Sequence, residues 1–240
     1  MARDIKALIF DVFGTCVDWR AGVTREGQAF GRAHGIDGVD WAQFADAWRA
    51  LYQPRMEEVR SGARPWTRLD DLHRESLEKV LRDLGVSGIP AEALDDLNRA
   101  WHRLDPWPDA VEDLKRLKTR YIVAPHSNGN VALLENMARR AGLPWDAILG
   151  AEVVRAYKPL PESYVRAVDL LGLAPGQVMM VAAHNDDLVA ARAQGLKAAF
   201  VPRPGEHGPG QTKDLGPLHA FDVVARDFGD LASRMGCERA

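Results

Sequence analysis

The sequence predicts an α/β fold in which a parallel-sheet core carries an inserted, all-helical segment. Three observations predict it. Residues 5–10 form a short apolar run, rich in strand formers, that ends at Asp11 and the turn residue Gly14. From about residue 18 to 102, apolar residues recur at helical spacing with no convincing strand among them. After Pro106-Trp107-Pro108, short apolar runs alternate with helical stretches, the pattern of βαβ units and a parallel sheet.

The elements follow in order. The run at 5–10 reads as a buried strand, so Asp11 sits at its C-terminal end, where open parallel sheets bind ligands. The helical segment is marked by Val23 and Phe30, by Trp41, Phe44, Ala45, Trp48, Leu51 and Tyr52, by Leu72, Leu77, Val80, Leu81 and Leu84, and by Leu94, Leu97 and Trp101. Glycines and prolines divide it into about four helices, and Pro54 is expected to kink or end one of them. Later strands are expected at 121–124, 147–151, 178–182, 198–201 and 223–225, with helices at 110–117, 131–141, 162–171 and 188–193. Residues 202–218 are rich in Gly and Pro and read as a loop.

Composition narrows the function. The chain has 240 residues, 46% hydrophobic and 27% charged, with a net charge of −3. That balance gives no general reason to bind nucleic acid or a membrane surface, and an anionic substrate would need positive charge placed at its site. No apolar run approaches the roughly 18 residues of a membrane span. Arg3, Asp4 and Lys6 precede an apolar stretch that is short and broken by Asp11, so no signal peptide is expected. Two cysteines far apart, Cys16 and Cys237, suggest a reducing cytoplasm and cannot form a Cys-rich zinc site.

Four segments carry groups suited to chemistry: Phe10-Asp11-Val12-Phe13-Gly14-Thr15, Pro125-His126-Ser127-Asn128-Gly129, Lys158-Pro159, and Ala183-His184-Asn185-Asp186-Asp187. Each follows an expected strand or opens a helix, so parallel strands would gather them at one edge of the sheet. Taken singly, each has a plainer reading. Asp11 is a turn or cap residue, Arg49 a solvated helix residue, Lys158 a surface lysine, and Ser127-Asn128-Gly129 a capped turn. Asp186 reads as a first-turn acid that complements a helix dipole, His126 as a structural histidine and Cys16 as a buried thiol.

Together and in this order, the four segments resemble the haloacid dehalogenase superfamily, with the helical segment in the position of its cap. The resemblance implies a Rossmann-like core from residues 1–17 and 102–240, and a helical cap from 18–101. Phosphatases of the superfamily have a second Asp two residues after the nucleophile and a Mg²⁺-binding Asp in the fourth segment, where this chain has Phe13 and Ala183. Without Mg²⁺, Asp11 would meet a phosphate dianion unscreened, whereas the reacting carbon of a 2-haloacid is neutral. Trp48-Arg49, the run Arg103-Leu104-Asp105-Pro106-Trp107-Pro108-Asp109-Ala110 and the spacing of Lys158 to Tyr164 resemble the (S)-2-haloacid dehalogenase branch.

That branch implies an aspartate nucleophile, no metal or other cofactor, a small halogenated carboxylate substrate and, in related proteins, a homodimer. Asp11 would displace halide at C2 and form an ester. Lys158 would keep Asp11 ionised. Arg49 and Asn128 would receive the halide, with Trp66 as the nearby aromatic residue and Phe13 lining the substrate site. Thr15 and Ser127 would hold carboxylate oxygens, Tyr164 would support Lys158 or the substrate, and Asp187 would direct water to the ester. The branch has an Asn where this chain has His184, so either Asn185 compensates or His184 acts itself, as a base. A Mg²⁺-dependent phosphatase and a non-catalytic binding protein on this fold stand as the alternatives.

Overall fold

The computed structural model describes residues 4–238; Met1–Arg3, on which part of the signal-peptide expectation rests, lie outside the described residues. Strand β1 (Ala7–Phe10) leads to a short strand β2 (Val17–Asp18) and then to five helices. These are α1 (Trp19–His34), α2 (Trp41–Ala50), α3 (Tyr52–Arg60), α4 (Leu69–Asp83) and α5 (Ala91–Asn98), followed by a 3-10 turn at Arg99–His102. Strand β3 (Asp105–Pro106) pairs antiparallel with β2, Val17 opposite Pro106, and so ties the two connections of the helical segment together. The chain then runs through α6 (Ala110–Lys118), β4 (Ile122–Pro125), α7 (Val131–Ala141), α8 (Ala151–Val154) and α9 (Pro161–Leu170). It ends with β5 (Val178–Ala182), α10 (Asn185–Ala193), β6 (Lys197–Phe200), β7 (Val223–Val224) and α11 (Phe228–Arg234).

The main sheet has the strand order β4-β1-β5-β6-β7 and is parallel throughout. Its strands read as near-continuous apolar runs because both faces are covered. On one face lie Leu8, Phe10 and Met179, on the other Ile9, Met180 and Ala198, in two separate buried clusters. The chain passes from β1 to β4 on one side and then from β4 back past β1 to β5 on the other, so the switch point where such sheets open a crevice lies between β1 and β5.

Local chemistry explains the helical segment. Asp18 caps α1 by accepting from the Ala21 N–H at 3.0 Å, and Asp40 caps α2 by accepting from Ala42 and Gln43 at 2.9 and 3.1 Å. Each cap contributes about 1 kcal/mol. Helices α1 and α2 approach so closely that a Cβ on Gly27 would stand 2.5 Å from the Trp41 ring. The segment forms five helices where the sequence suggests about four, because the chain breaks at Leu51 between α2 and α3. Pro54 falls in the first turn of α3, where its missing N–H forfeits no helical bond.

One expected strand does not form. Residues 147–150 are irregular, and α8 begins at Ala151. Asp146, Leu149 and Ala151 donate to the carbonyls of Val123, Pro125 and Ser127, at 2.8, 3.2 and 2.8 Å. Three residues advance there against two on β4, so the segment follows the sheet edge as a bulge and never becomes a regular strand. No helix among the described residues is long and apolar enough to cross a membrane.

Candidate active site

The groups singled out in the sequence converge at the C-terminal ends of β1, β4 and β5. Asp11 follows β1 and is 6% exposed. Its Oδ1 accepts from Lys158 Nζ at 2.9 Å. Its Oδ2 accepts from Thr15 Oγ1 at 2.8 Å and lies 3.1 Å from His184 Nδ1. Thr15 Oγ1 in turn accepts from the Ala183 N–H at 2.9 Å, which locks the loop after β1 to the loop after β5. Lys158 Nζ also bonds Asp187 Oδ2, and Tyr164 donates to Asp187 Oδ1 at 2.6 Å.

Charge decides the protonation states. Burial alone would raise the pKa of Asp11, but the charge of Lys158 and the bond and charge of His184 outweigh it and hold Asp11 well below the usual carboxylate range. Burial would lower Lys158; the carboxylates of Asp11 and Asp187 hold it above its ordinary value instead. Asp187 shifts upward, through burial and through the nearby Asp11 charge. Of the two acids that share Lys158, Asp187 is therefore the one better able to take a proton.

These residues line a cavity of about 710 Å³ together with Phe13, Arg49, Tyr52, Asn128 and His207. A smaller cavity of about 350 Å³ opens at the N-terminal ends of the strands beside Ile5 and Met179, and there Lys197 and Asp222 pair with each other at 3.1 Å. In the larger cavity, Arg49 Cζ sits 4.0 Å from the Tyr52 ring centroid, 5.3 Å from that of Trp19 and 5.9 Å from that of Phe13. Its buried Nη1 has no hydrogen-bond partner. A cation in an aromatic cage with a spare donor is suited to receive an anion. Asn128 also reaches this wall, where its Nδ2 donates to the Tyr52 hydroxyl at 3.1 Å and its Oδ1 accepts from the Lys158 N–H at 2.8 Å.

Three expected roles meet a different geometry. Trp66 lies away from the cavity, stacked on Tyr157 at 4.9 Å, because residues 61–68 fold back over the chain near 157. The aromatic residues beside Arg49 are Tyr52 and Trp19 instead. Asn185 does not stand in for the Asn missing at His184: its side chain bonds Asp214, the Gly216 carbonyl and the Leu218 N–H, and so fastens the loop. The Ser127 hydroxyl accepts from the Gly129 N–H at 3.2 Å and serves the turn, not the cavity wall. His126 is buried and its pKa falls to about 3 through desolvation, which fits the structural reading made for it.

Two contributors escaped the sequence. Tyr52 showed only as one more apolar residue at helical spacing. Glu206, which has no solvent exposure, lies in the Gly- and Pro-rich loop and carries no periodic signal at all.

A Mg²⁺ ion of the phosphatase type does not fit these residues. Phe13 puts an aromatic ring in the cavity lining where a carboxylate would stand, Ala183 has no side-chain oxygen, and both oxygens of Asp11 already face cations or donors. His184, Glu206 and His207 bring possible ligand atoms within 4.8 Å of one another. However, His184 Nε2 lies 3.0 and 3.1 Å from the two Glu206 oxygens. Although burial opposes the charge, Glu206 and Asp11 raise the His184 pKa to about 10, so a metal would have to displace a proton there.

Fold and site define an α/β protein that carries a buried aspartate, held ionised by its neighbours, at a sheet switch point. A family model for haloacid dehalogenase-like hydrolases matches residues 5–195, and the chain belongs to that family. The chain is 31% identical over 207 residues to an (S)-2-haloacid dehalogenase of Xanthobacter autotrophicus, covering 83% of this chain and 76% of that protein. The crystal structure of a defluorinating L-2-haloacid dehalogenase superimposes with a TM-score of 0.95 at 50% identity, covering 97% of this chain and 95% of the other. An L-2-haloacid dehalogenase of Xanthobacter autotrophicus with chloropropionic acid covalently bound superimposes with a TM-score of 0.80 at 25% identity, covering 98% of this chain and 100% of the other.

Proposed function

We propose that this protein hydrolyses (S)-2-haloalkanoic acids to (R)-2-hydroxyalkanoic acids through an ester on Asp11, without a metal ion. The observation that carries the proposal is the pairing, in one cavity, of an ionised Asp11 held by Lys158 with a caged Arg49 whose Nη1 has no partner. The relatives named as 2-haloacid dehalogenases, one of them with chloropropionic acid covalently bound, support the same reaction.

Asp11 Oδ2 has two partners and Oδ1 has one, so Oδ1 keeps a lone pair free to attack C2. The C–O bond forms as the carbon–halogen bond breaks, and the halide leaves with the bonding pair toward Arg49. Attack from the rear inverts C2. Water then attacks Cγ of Asp11, with Asp187 as proton acceptor, and the second step leaves C2 untouched. Thr15 orients Asp11, Asn128 fixes the Lys158 backbone, and Tyr164 orients Asp187.

The proposal includes a helical cap formed by residues 18–101 over a core of 1–17 and 102–240, with Arg49 supplied from the cap. The β2–β3 pair at its base supports that division. It also includes a small halogenated carboxylate as the partner, a cytoplasmic location and a homodimer. Two free, buried cysteines support the location, and the dimer rests on family resemblance. The test is a single turnover in H₂¹⁸O: label is expected in Asp11 before it appears in product. Label that enters the product alone would sink the ester mechanism. Assays with chloroacetate, 2-chloropropionate and fluoroacetate define the halide range, which matters because one relative is named as defluorinating.

A further inference from the structure

Glu206 is a carboxylate with no solvent exposure, and nothing in the reaction above uses it. Its Oε1 accepts from Trp19 Nε1 at 3.1 Å. Both of its oxygens face His184 Nε2, at 3.1 and 3.0 Å. The other nitrogen of that imidazole, Nδ1, is 3.1 Å from Asp11 Oδ2. One ring therefore bridges a buried carboxylate and the nucleophile. The backbone makes room for this contact at Gly14, where φ is +85° and a Cβ would stand 2.0 Å from Glu206 Oε1. A carboxylate on the far nitrogen of an imidazole fixes the ring and stabilises its charged form. The other titratable groups near the pair are Asp18 at the end of β2, His207 on the same loop as Glu206, Arg49 from α2, and Lys158 on the far oxygen of Asp11.

We propose that Glu206 and His184 form an ion pair that serves the second half of the reaction, with His184 stabilising negative charge on the acyl oxygen of the Asp11 ester and Glu206 acting as its positioning residue. The proposal rests on the ester reading. Alkylation at Oδ1 removes the charge of Asp11 and leaves Oδ2 as the carbonyl oxygen, still facing His184 Nδ1–H. Water forms a bond to Cγ, its proton passes to Asp187, and the carbonyl π pair moves onto Oδ2. The imidazolium then stabilises an oxyanion in a water-poor site, where a fixed donor counts most. Collapse of this intermediate breaks the bond between Cγ and the oxygen attached to C2. The departing alkoxide takes the proton from Asp187, and the regenerated Asp11 carboxyl releases one proton to solvent. Halide, hydroxyacid and one proton balance the haloacid and the water consumed.

The test is a quenched single turnover with 2-chloropropionate on the wild type, Glu206→Gln and His184→Asn, following chloride release and the intact mass of the protein. In both variants the first chloride is expected to slow far less than ester hydrolysis, because Lys158 still holds Asp11 ionised. Ester hydrolysis is expected to slow about 10²-fold, the size of an oxyanion donor, so alkylated protein accumulates. In Glu206→Gln the alkaline limb of ester hydrolysis is also expected at lower pH, because the imidazolium loses its counter-charge; a purely structural role would leave that limb in place. Ester hydrolysis at the wild-type rate in His184→Asn, or chloride release slowed as much as steady-state turnover, would overturn the proposal. Ester that forms and hydrolyses normally in Glu206→Gln would overturn the part assigned to Glu206. A wild-type enzyme that releases chloride but labels no aspartate would refute the ester reading and take this proposal with it.

Discussion

Lys158 Nζ stands between two buried carboxylates, 2.9 Å from Asp11 Oδ1 and hydrogen-bonded to Asp187 Oδ2. One cation thus keeps the proposed nucleophile ionised and ties it to the acid proposed to handle water. Lys158→Met would leave Asp187 without a cation and Asp11 with His184 alone. Removing one partner of a buried pair costs about 3–5 kcal/mol, so denaturant unfolding should show a loss of that order together with loss of halide release. A variant as stable as the wild type would show that the pair contributes no net stability.

Arg49 is held by three aromatic rings, and its Nη1 lacks a partner. Arg49→Lys keeps the charge but loses the planar fork that fits the cage. Halide release is expected to fall about 10²-fold or more, the cost of removing one fixed donor for developing charge. Pre-steady-state kinetics should place the loss in the first step. Unchanged chloride release in Arg49→Lys would remove Arg49 from the halide site.

The pH dependence of stability has a defined sign. His184 has an ordinary pKa of 6.5 that rises to about 10 in the folded protein. The folded state therefore holds this proton more tightly, and the gain is complete below about 6.5 and lost as pH rises through about 10. Urea unfolding at pH 6.5 and pH 10 should show a drop in the wild type that exceeds the drop in His184→Asn by on the order of a few kcal/mol. Other groups titrate in both proteins and cancel in the comparison. Equal drops would mean that the imidazole gains no proton affinity on folding.

Trp66 stacks on Tyr157 and lies off the cavity. Trp66→Leu should lower stability by about 1–3 kcal/mol and leave kcat/KM for 2-chloropropionate within about threefold, a change below 1 kcal/mol. A large loss of kcat/KM with little loss of stability would return Trp66 to the halide site.

Ala183 stands where a Mg²⁺-dependent member of the superfamily has a metal-binding Asp, and Phe13 where it has an acid/base Asp. Halide release should survive EDTA and gain nothing from added Mg²⁺, as followed with an ion-selective electrode. Loss of activity in EDTA, restored by a divalent cation, would overturn the metal-free mechanism.

The sequence by itself determined the strands of the main sheet, though it also suggested one at 147–151 that does not form, the order of its reactive loops and the replacement of two acidic residues of the superfamily by Phe13 and Ala183. Asp11, Lys158 and Asp187 were legible because parallel strands deliver loop residues to one edge wherever the helices between them lie. Phe13 and Ala183 were legible because a missing carboxylate needs no coordinates. Tertiary structure alone decided which aromatic residue meets Arg49. Tyr52 and Trp66 are both aromatic residues of the helical segment, and only the packing of α3 and of the turn after it sends one into the cavity and the other onto Tyr157. The same holds for His184 and Asn185, adjacent in sequence, one turned to Asp11 and the other to the loop at 214–218. Glu206 lies beyond any local pattern. It meets Trp19 across 187 residues, and a contact between such distant residues exists only once the sheet has closed the chain around it.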